Sequence, residues 1–263
     1  MKTPIVYYGG KQKMIKHILP HIPNHTTYVE PFAGGAAVFF AKPKSKAEFI
    51  NDINGNIAAF YRSMVIDFDG LQKMIESTIH CENTFKRAKD IYLSTNLYSD
   101  TERAWAVWVN SCLSFGGQMA SSFKWQRSKN DNWTAPTTMR NKKKIFKFLK
   151  SRLDGVTVFN RDAIAIIKKL DDTDTFFYID PPYIGANQGH YSGYTEEDFL
   201  DLITVLLGIK GKFILSHYPF EGMPDVWSSI SFNMALGVNP DKRKIEVITM
   251  NFEKNEPNQL KIF

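Results

Sequence analysis

The sequence predicts an α/β fold with a single open sheet and a mostly helical segment inserted into it. Two observations predict the sheet: short β-rich apolar runs recur along the chain, and helical stretches separate them. A third predicts the insertion, because over residues 60–150 this rhythm gives way to helical periodicity and a polar stretch rich in Ser, Asn, Lys and Trp. With 263 residues, 43% of them apolar, the chain can bury one sizeable core with a modest insertion, or two small domains, which excludes disordered and fibrous classes. The predicted strands are 27–30, 48–50, 156–159, 175–179, 212–215, 230–234 and 246–250. The helices predicted inside the insertion are 84–93, 103–113 and 140–153. On this reading, residues 1–59 and 151–263 form the sheet domain and 60–150 the inserted subdomain.

The first element begins at Tyr7-Tyr8-Gly9-Gly10-Lys11, where aromatics, two flexible residues and a cation precede a helix. In isolation this is a helix start. In a cofactor site, Lys11 pairs with a cofactor carboxylate while an aromatic covers the apolar part of the same molecule.

Strand 27–30 then runs through Glu30-Pro31-Phe32-Ala33-Gly34-Gly35 into an apolar helix. Glycines at the carboxyl end of a strand let the backbone approach a ligand, at the place where open α/β sheets bind ligands. The next strand ends in Asn51-Asp52-Ile53-Asn54, about twenty residues further on, where an acid accepts hydrogen bonds from two ribose hydroxyls. Neither Gly-x-Gly-x-x-Gly nor a Gly-Lys-Ser/Thr loop is present, so nothing marks a pyrophosphate site. A nucleoside cofactor without phosphates, such as S-adenosylmethionine, fits better. Glu30 then either faces the cofactor's ammonium group, directly or through water, or is a strand-end acid in solvent.

Strand 175–179 stops in Asp180-Pro181-Pro182-Tyr183. Two prolines end sheet pairing and fix both φ angles, so Asp180 and the Pro181 carbonyl are presented on a rigid turn. Amino methylation of a nucleobase needs such a pair of acceptors, because the exocyclic nitrogen's lone pair is delocalised into the ring. With its two hydrogens bound by the Asp180 carboxylate and the Pro181 carbonyl, the nitrogen can become tetrahedral and aim that lone pair at a methyl group. The ammonium product is very acidic, so no strong base is needed, and Tyr183 offers a face on which an extruded base stacks.

At these motifs the sequence resembles the Dam family of DNA adenine methyltransferases, whose domain is called D12. Tyr7 to Lys11 is similar to that family's aromatic-x-Gly-Gly-Lys, Glu30 to Gly35 to its Glu-Pro-Phe-x-Gly turn, Asn51 to Asn54 to its Asp-x-Asn acid, and Asp180 to Tyr183 to its catalytic tetrad. Tyr7 stands where the best-known members have Trp, and Ala-Gly-Gly where they often have Gly-x-Gly. The resemblance implies a Rossmann-like methyltransferase core with a seven-stranded mixed sheet and an inserted, mainly helical target-recognition subdomain. It implies that Tyr7, Lys11, Asp52 and Asp180 contact the cofactor or the reacting centre, and Glu30, Phe32, Gly34 and Gly35 complete the expected S-adenosylmethionine site. It also suggests that Asp162, after strand 156–159, bonds the cofactor adenine; a helix N-cap is the alternative, and the two are compatible.

Charge indicates where the nucleic acid lies. The chain carries a formal +6, but residues 60–150 hold 15 Lys and Arg against 8 Asp and Glu, so the rest is close to neutral. Neutralised phosphates release counterions, and such an excess is either a phosphate-binding surface or a solvated helix face, especially at Asn141-Lys142-Lys143-Lys144. The proposed DNA contacts are Lys124, Trp125, Arg127, Lys129, Asn132 and Arg140. Among them the cations hold phosphates, while Gln126, Arg127 or Asn132 reach base edges and Phe123 or Trp125 fills the gap left by a flipped base. Residues 184–194, with three glycines, His190, Tyr191 and Tyr194, form either a loop that closes over the base or a surface loop.

The expected function is thus site-specific methylation of adenine N6 in duplex DNA. The alternatives are the cytosine amino group, RNA, and a catalytically silent DNA-binding module. Glutamine modification in proteins typically uses Asn in place of Asp180. Cys81 and Cys112 show no metal or redox spacing, and His190 and His217 no spacing for metal or a nucleophilic triad. No run approaches a membrane span and the start lacks a secretory signal, so the expected place is the cytoplasm of a bacterial cell or phage-infected host. The expected protein is a metal-free monomer, with a restriction nuclease as a candidate partner.

Overall fold

The computed structural model describes residues 2–7, 9–115, 118–125, 134–184, 193–236 and 239–253. Its seven strands are β1 (Thr27–Glu30), β2 (Ala47–Asn51), β3 (Val156–Phe159), β4 (Thr175–Ile179), β5 (Lys212–His217), β6 (Ser228–Leu236) and β7 (Asn239–Met250). They form one mixed sheet in the order β3-β2-β1-β4-β5-β7-β6. The pairs from β3 to β5 are parallel, whereas β7 runs antiparallel to both β5 and β6. The chain works outward from β1 through β2 to β3, then returns to the middle as β4. The strand order therefore reverses between β1 and β4, which is where an open α/β sheet leaves a crevice beyond its carboxyl ends.

Period-two alternation divides the sheet's two faces cleanly. Tyr28, Ile50, Phe176, Tyr178, Ile214, Ile248 and Met250 point to one core, while Val29, Phe177, Ile179, Phe213 and Leu215 point to the other. The second core is closed by α9 (Ala163–Leu170) and α10 (Glu196–Leu207). The first is closed by the helical part of the chain: α3 (Gly55–Ile66), α4 (Phe68–Ser77), α5 (Glu82–Leu93), α6 (Asp100–Leu113), α7 (Thr134–Phe146) and α8 (Lys150–Leu153). That segment shares one continuous apolar core with the sheet, in which Phe60, Trp108 and Phe146 are fully buried beside Tyr28 and Phe176.

Several boundaries differ from those predicted, β7 most of all, which starts at Asn239 rather than 246, and two differ for a clear reason. Helix α6 starts three residues early because Ser99 and Glu102 form a reciprocal capping box, satisfying backbone N–H groups that helix ends leave open. The helix predicted over 140–153 is broken. The chain leaves α7 through turns in which Phe148 and Leu149 N–H bond the Ile145 and Phe146 carbonyls. The break lets Leu149 enter the core and brings Arg152 to Glu48.

Glu48, Lys42 and Arg152 form a buried ion triad behind the sheet. The Lys42 ammonium lies 2.7 Å from Glu48 Oε1, and Arg152 grips both carboxylate oxygens and donates to the Phe39 carbonyl at 2.6 Å. Burial pushes the Glu48 carboxyl up, but the hydrogen bonds from Arg152 and Lys42 outweigh it and hold it below the ordinary range.

Two lysines of the basic run in α7 also work inside the fold. Lys142 donates to the Thr3 and Ile5 carbonyls and so ties the N-terminal segment to α7, while Lys143 donates to the Glu76 and Thr78 carbonyls at the end of α4. Neither is the simple solvated charge that a basic run suggests. Among the described residues, no helix is long and apolar enough to cross a membrane.

Candidate active site

The register sets Val29 level with Phe177, so β1 and β4 deliver Glu30 and Asp180 to the same end of the sheet. Asp180 follows directly on Ile179 and is held by the turn that the two prolines impose. Its Oδ1 is buried, and the Lys11 ammonium lies 2.8 Å away. Burial drives the Asp180 carboxyl up toward the neutral acid, and Lys11 opposes that shift. Lys11 begins a 3-10 turn (Lys11–Lys13), donates to the Gly9 carbonyl at 3.0 Å, and places its ammonium 4.5 Å from the centre of the Tyr183 ring. It thus joins the N-terminal motif to the tetrad. The sequence assigned Lys11 to a cofactor carboxylate; its partner in this structure is Asp180.

The glycine turn after β1 shows why those residues are glycine. Gly34 has φ +46°, and a Cβ there would stand 3.0 Å from two carbons of the Tyr7 ring; one on Gly35 would stand 3.1 Å from Tyr7 Cβ. Tyr7 therefore lies against the turn. Asp52 fixes the same turn from β2, with Oδ2 accepting from Gly34 N–H and Oδ1 from Asn54 N–H, both at 2.8 Å. The Tyr61 hydroxyl closes the other side on the Gly34 carbonyl at 2.8 Å. A carboxylate already oriented by two backbone donors is a suitable acceptor for vicinal hydroxyls.

Glu30 is not an acid in solvent. It is 1% exposed, and its Oε1 accepts from the Tyr28 hydroxyl at 2.5 Å and from Phe39 N–H at 2.7 Å. The latter donor lies in the first turn of α2 (Ala37–Ala41). Burial raises the Glu30 carboxyl to about 8, although both hydrogen bonds favour the ionised form. Phe32 stands edge-on to Tyr194 with ring centres 6.3 Å apart. Asp162 is exposed and caps α9, accepting from Ala165 N–H at 2.9 Å. Thus Tyr7, Lys11, Glu30, Gly34, Gly35, Asp52 and the tetrad gather at the crevice, and Asp162, on the loop after β3, acts through its charge on Tyr194, the ring that meets Phe32.

The expected DNA contacts divide differently. Arg127, Lys129 and Asn132, with Gln126, lie outside the described residues, as do His190 and Tyr191. Trp125 is 66% exposed, Arg140 is exposed on α7, and Lys124 is half-buried. Phe123 does not suit the wedge role: its ring stacks on His80 at 5.1 Å, contacts Phe85 at 5.6 Å, and packs against the main core. Apolar packing has already used the surface a wedge needs. His217 is buried between the Tyr218 carbonyl and the Thr249 hydroxyl, so both ring nitrogens are engaged.

Sequence reasoning missed three groups. Asn51 clamps the loops after three strands, donating to the Pro31 and Arg161 carbonyls and accepting from Arg161 N–H, each at 2.9 Å. Asn160 donates to the carbonyls of Asp52 and Ile53. Glu246 on β7 accepts from the Tyr183 hydroxyl at 2.9 Å, and Tyr218 stands edge-on to Tyr183 at 4.5 Å. The available signal for Glu246 was a carboxylate sharing a strand face with Ile248 and Met250.

Comparison with known proteins identifies the family. The model of a family described as D12 class N6 adenine-specific DNA methyltransferase matches residues 7–221. The type II methyltransferase M1.LlaDCHI of Lactococcus lactis subsp. cremoris is 28% identical over 210 residues, covering 73% of this chain and 69% of that one. The type II methyltransferase M.MjaIII of Methanocaldococcus jannaschii is 26% identical over 227 residues, covering 76% of each. The type II methyltransferase M.CviBI of Paramecium bursaria Chlorella virus NC1A is 23% identical over 226 residues, covering 82% of each.

Proposed function

Because the chain belongs to the D12 class N6 adenine-specific DNA methyltransferase family, we propose that it methylates the N6 amino group of an adenine turned out of duplex DNA, with S-adenosylmethionine as donor. The observation that carries this reading is the ion pair of Lys11 with Asp180, beside a glycine turn that Asp52 braces from the neighbouring strand. A carboxylate acceptor and a nucleoside-type cradle then share one crevice at the reversal of strand order.

The residues present suit S-adenosylmethionine. Asp52 receives the ribose hydroxyls, Tyr7 and Phe32 cover apolar parts, Glu30 lies toward the ammonium group, and Asp162 serves the adenine. When bound, the cofactor supplies an electrophilic methyl group. Asp180 and the Pro181 carbonyl accept the two amino hydrogens of the target base and hold its nitrogen tetrahedral. Lys11 opposes the burial that favours the neutral acid and so favours the ionised Asp180, the stronger acceptor. Tyr183 carries the base on its ring. Residues 1–59 and 151–263 serve as the catalytic domain, and 60–150 as the DNA-recognition part, with Lys124, Trp125 and Arg140 among its contacts. Arg127, Lys129 and Asn132 complete that set. The reading places the protein in the cytoplasm as a monomer that needs no metal, with a restriction nuclease as a candidate partner.

The test is radiolabelled methyl transfer from S-adenosylmethionine to unmethylated duplex DNA, followed by nucleoside analysis. Wild type is expected to form N6-methyladenine, and Asp180→Ala to lose about 100- to 1,000-fold or more, the scale for removing one preorganised polar group. Methylcytosine as product overturns the base assignment; no methylated DNA overturns the substrate.

A further inference from the structure

Glu246 lies on a strand face otherwise given to Ile248 and Met250, and it is 2% exposed. A buried carboxylate is costly unless its oxygens are bound, and here each has a partner. Oε2 accepts the Tyr183 hydroxyl at 2.9 Å, and Oε1 is paired with the Lys244 ammonium. Lys244 in turn lies 5.4 Å from the centre of the Tyr218 ring, which stands edge-on to Tyr183. The contacts that hold the Tyr183 ring include Lys11 over its face, Tyr218 against it, and Glu246 at its hydroxyl, which also lies within reach of Asp180.

We propose that Glu246 is a positioning residue that sets the plane of the Tyr183 ring, making the antiparallel strand β7 part of the acceptor-base site. The inference rests on Tyr183 being the surface that carries the base. Two prolines fix the backbone before Tyr183, but they do not fix the torsions of its side chain. The plane of a stacked base follows the plane of the ring beneath it. A tilt there moves the amino nitrogen away from Asp180, and small errors in a near-attack geometry cost large factors in rate. With Lys244 on Oε1, the donor that Oε2 has is the tetrad's own phenol. Glu246, Lys244 and Tyr218 are not among the residues assigned to the cofactor, so a loss confined to base positioning should leave cofactor affinity in place.

Two measurements test it. In the first, kcat, KM for DNA and cofactor affinity are compared for wild type, Glu246→Ala, Glu246→Gln, Tyr183→Phe and the double variant Tyr183→Phe/Glu246→Ala. Glu246→Ala is expected to lower kcat 10- to 100-fold with cofactor affinity within twofold of wild type. Glu246→Gln, whose amide oxygen still accepts from the phenol, is expected to recover most of that loss. The double variant should be no worse than the poorer single one. Multiplicative losses, or a Gln variant as poor as Ala, overturn the proposal.

The second measurement needs no turnover. In ring-labelled tyrosine NMR, the Tyr183 signals, assigned by their absence in Tyr183→Phe, should show slow ring rotation in wild type and fast rotation in Glu246→Ala. Equal rotation in both overturns the proposal. If the wild type fails to methylate DNA while this spectrum changes as expected, the proposed function fails and the Glu246 contact stands.

Discussion

The Lys11 ammonium stands 2.8 Å from Oδ1 of Asp180, against a burial effect that pushes this carboxyl toward its neutral form. A carboxylate is a stronger acceptor for amino hydrogens than a neutral acid, so under the proposed function this pair is expected to shape the acid limb of activity. Lys11→Met removes the stabilising charge and raises the Asp180 carboxyl further. The acid limb of the pH profile of kcat/KM is therefore expected to move to higher pH, and Lys11→Arg to move it less. An unmoved limb would show that Asp180 ionisation does not depend on Lys11.

Glu30 predicts a pH dependence of stability. Its carboxyl is raised by burial from 4.5 to about 8, so the folded state holds a proton that the unfolded chain releases near its ordinary value. The contribution is complete below 4.5, declines as pH rises, and is gone above 8. Over this range the linkage is on the order of several kcal/mol. Glu30→Gln keeps an oxygen for Tyr28 and Phe39 N–H and has nothing to titrate. Thermal unfolding from pH 5 to 9 should show a shallower decline in the variant than in wild type.

Asp52 braces the glycine turn through Gly34 N–H and Asn54 N–H. Asp52→Ala leaves both donors without this acceptor, at about 1–3 kcal/mol each where water cannot replace it. Cofactor affinity, measured by calorimetry, should fall at least tenfold, and the melting temperature should also drop. Asp52→Asn keeps one acceptor oxygen and should lie between. Full cofactor affinity in Asp52→Ala would exclude a role for this carboxylate in the site.

Phe123 and Trp125 are two residues apart and should respond oppositely. Phe123 packs on His80 and Phe85, so Phe123→Ala should destabilise by about 1–3 kcal/mol, below the range for a fully buried Phe. Trp125 is 66% exposed, so Trp125→Ala should leave stability within about 0.5 kcal/mol and weaken DNA binding several-fold. Denaturant melts and fluorescence anisotropy with labelled duplex separate the two effects.

Much of the fold is legible in local sequence because strand ends and tight turns are local. The runs before Glu30, Asn51, Asn160 and Asp180 could be read from apolar residues that stop at a polar one. The glycines, prolines and acid that follow mark turns for reasons of backbone geometry. The start of α6 was equally local, since Ser99 and Glu102 carry the capping pattern. The break before Arg152 was not, because what it serves, the burial of Leu149 and the pairing of Arg152 with Glu48 on β2, lies far along the chain.

The sequence by itself determined the α/β order, the glycine turn, Asp52 and the rigid tetrad, since each depends on residues a few positions apart. Only the tertiary structure decided what these groups face. It set Lys11 on Asp180 across 169 residues, buried Glu30, turned Phe123 inward and brought Glu246 from an antiparallel strand to the Tyr183 hydroxyl. The physical reason is that burial and ion pairing depend on which strands become neighbours. That choice is made where the strand order reverses between β1 and β4, and no local pattern encodes it.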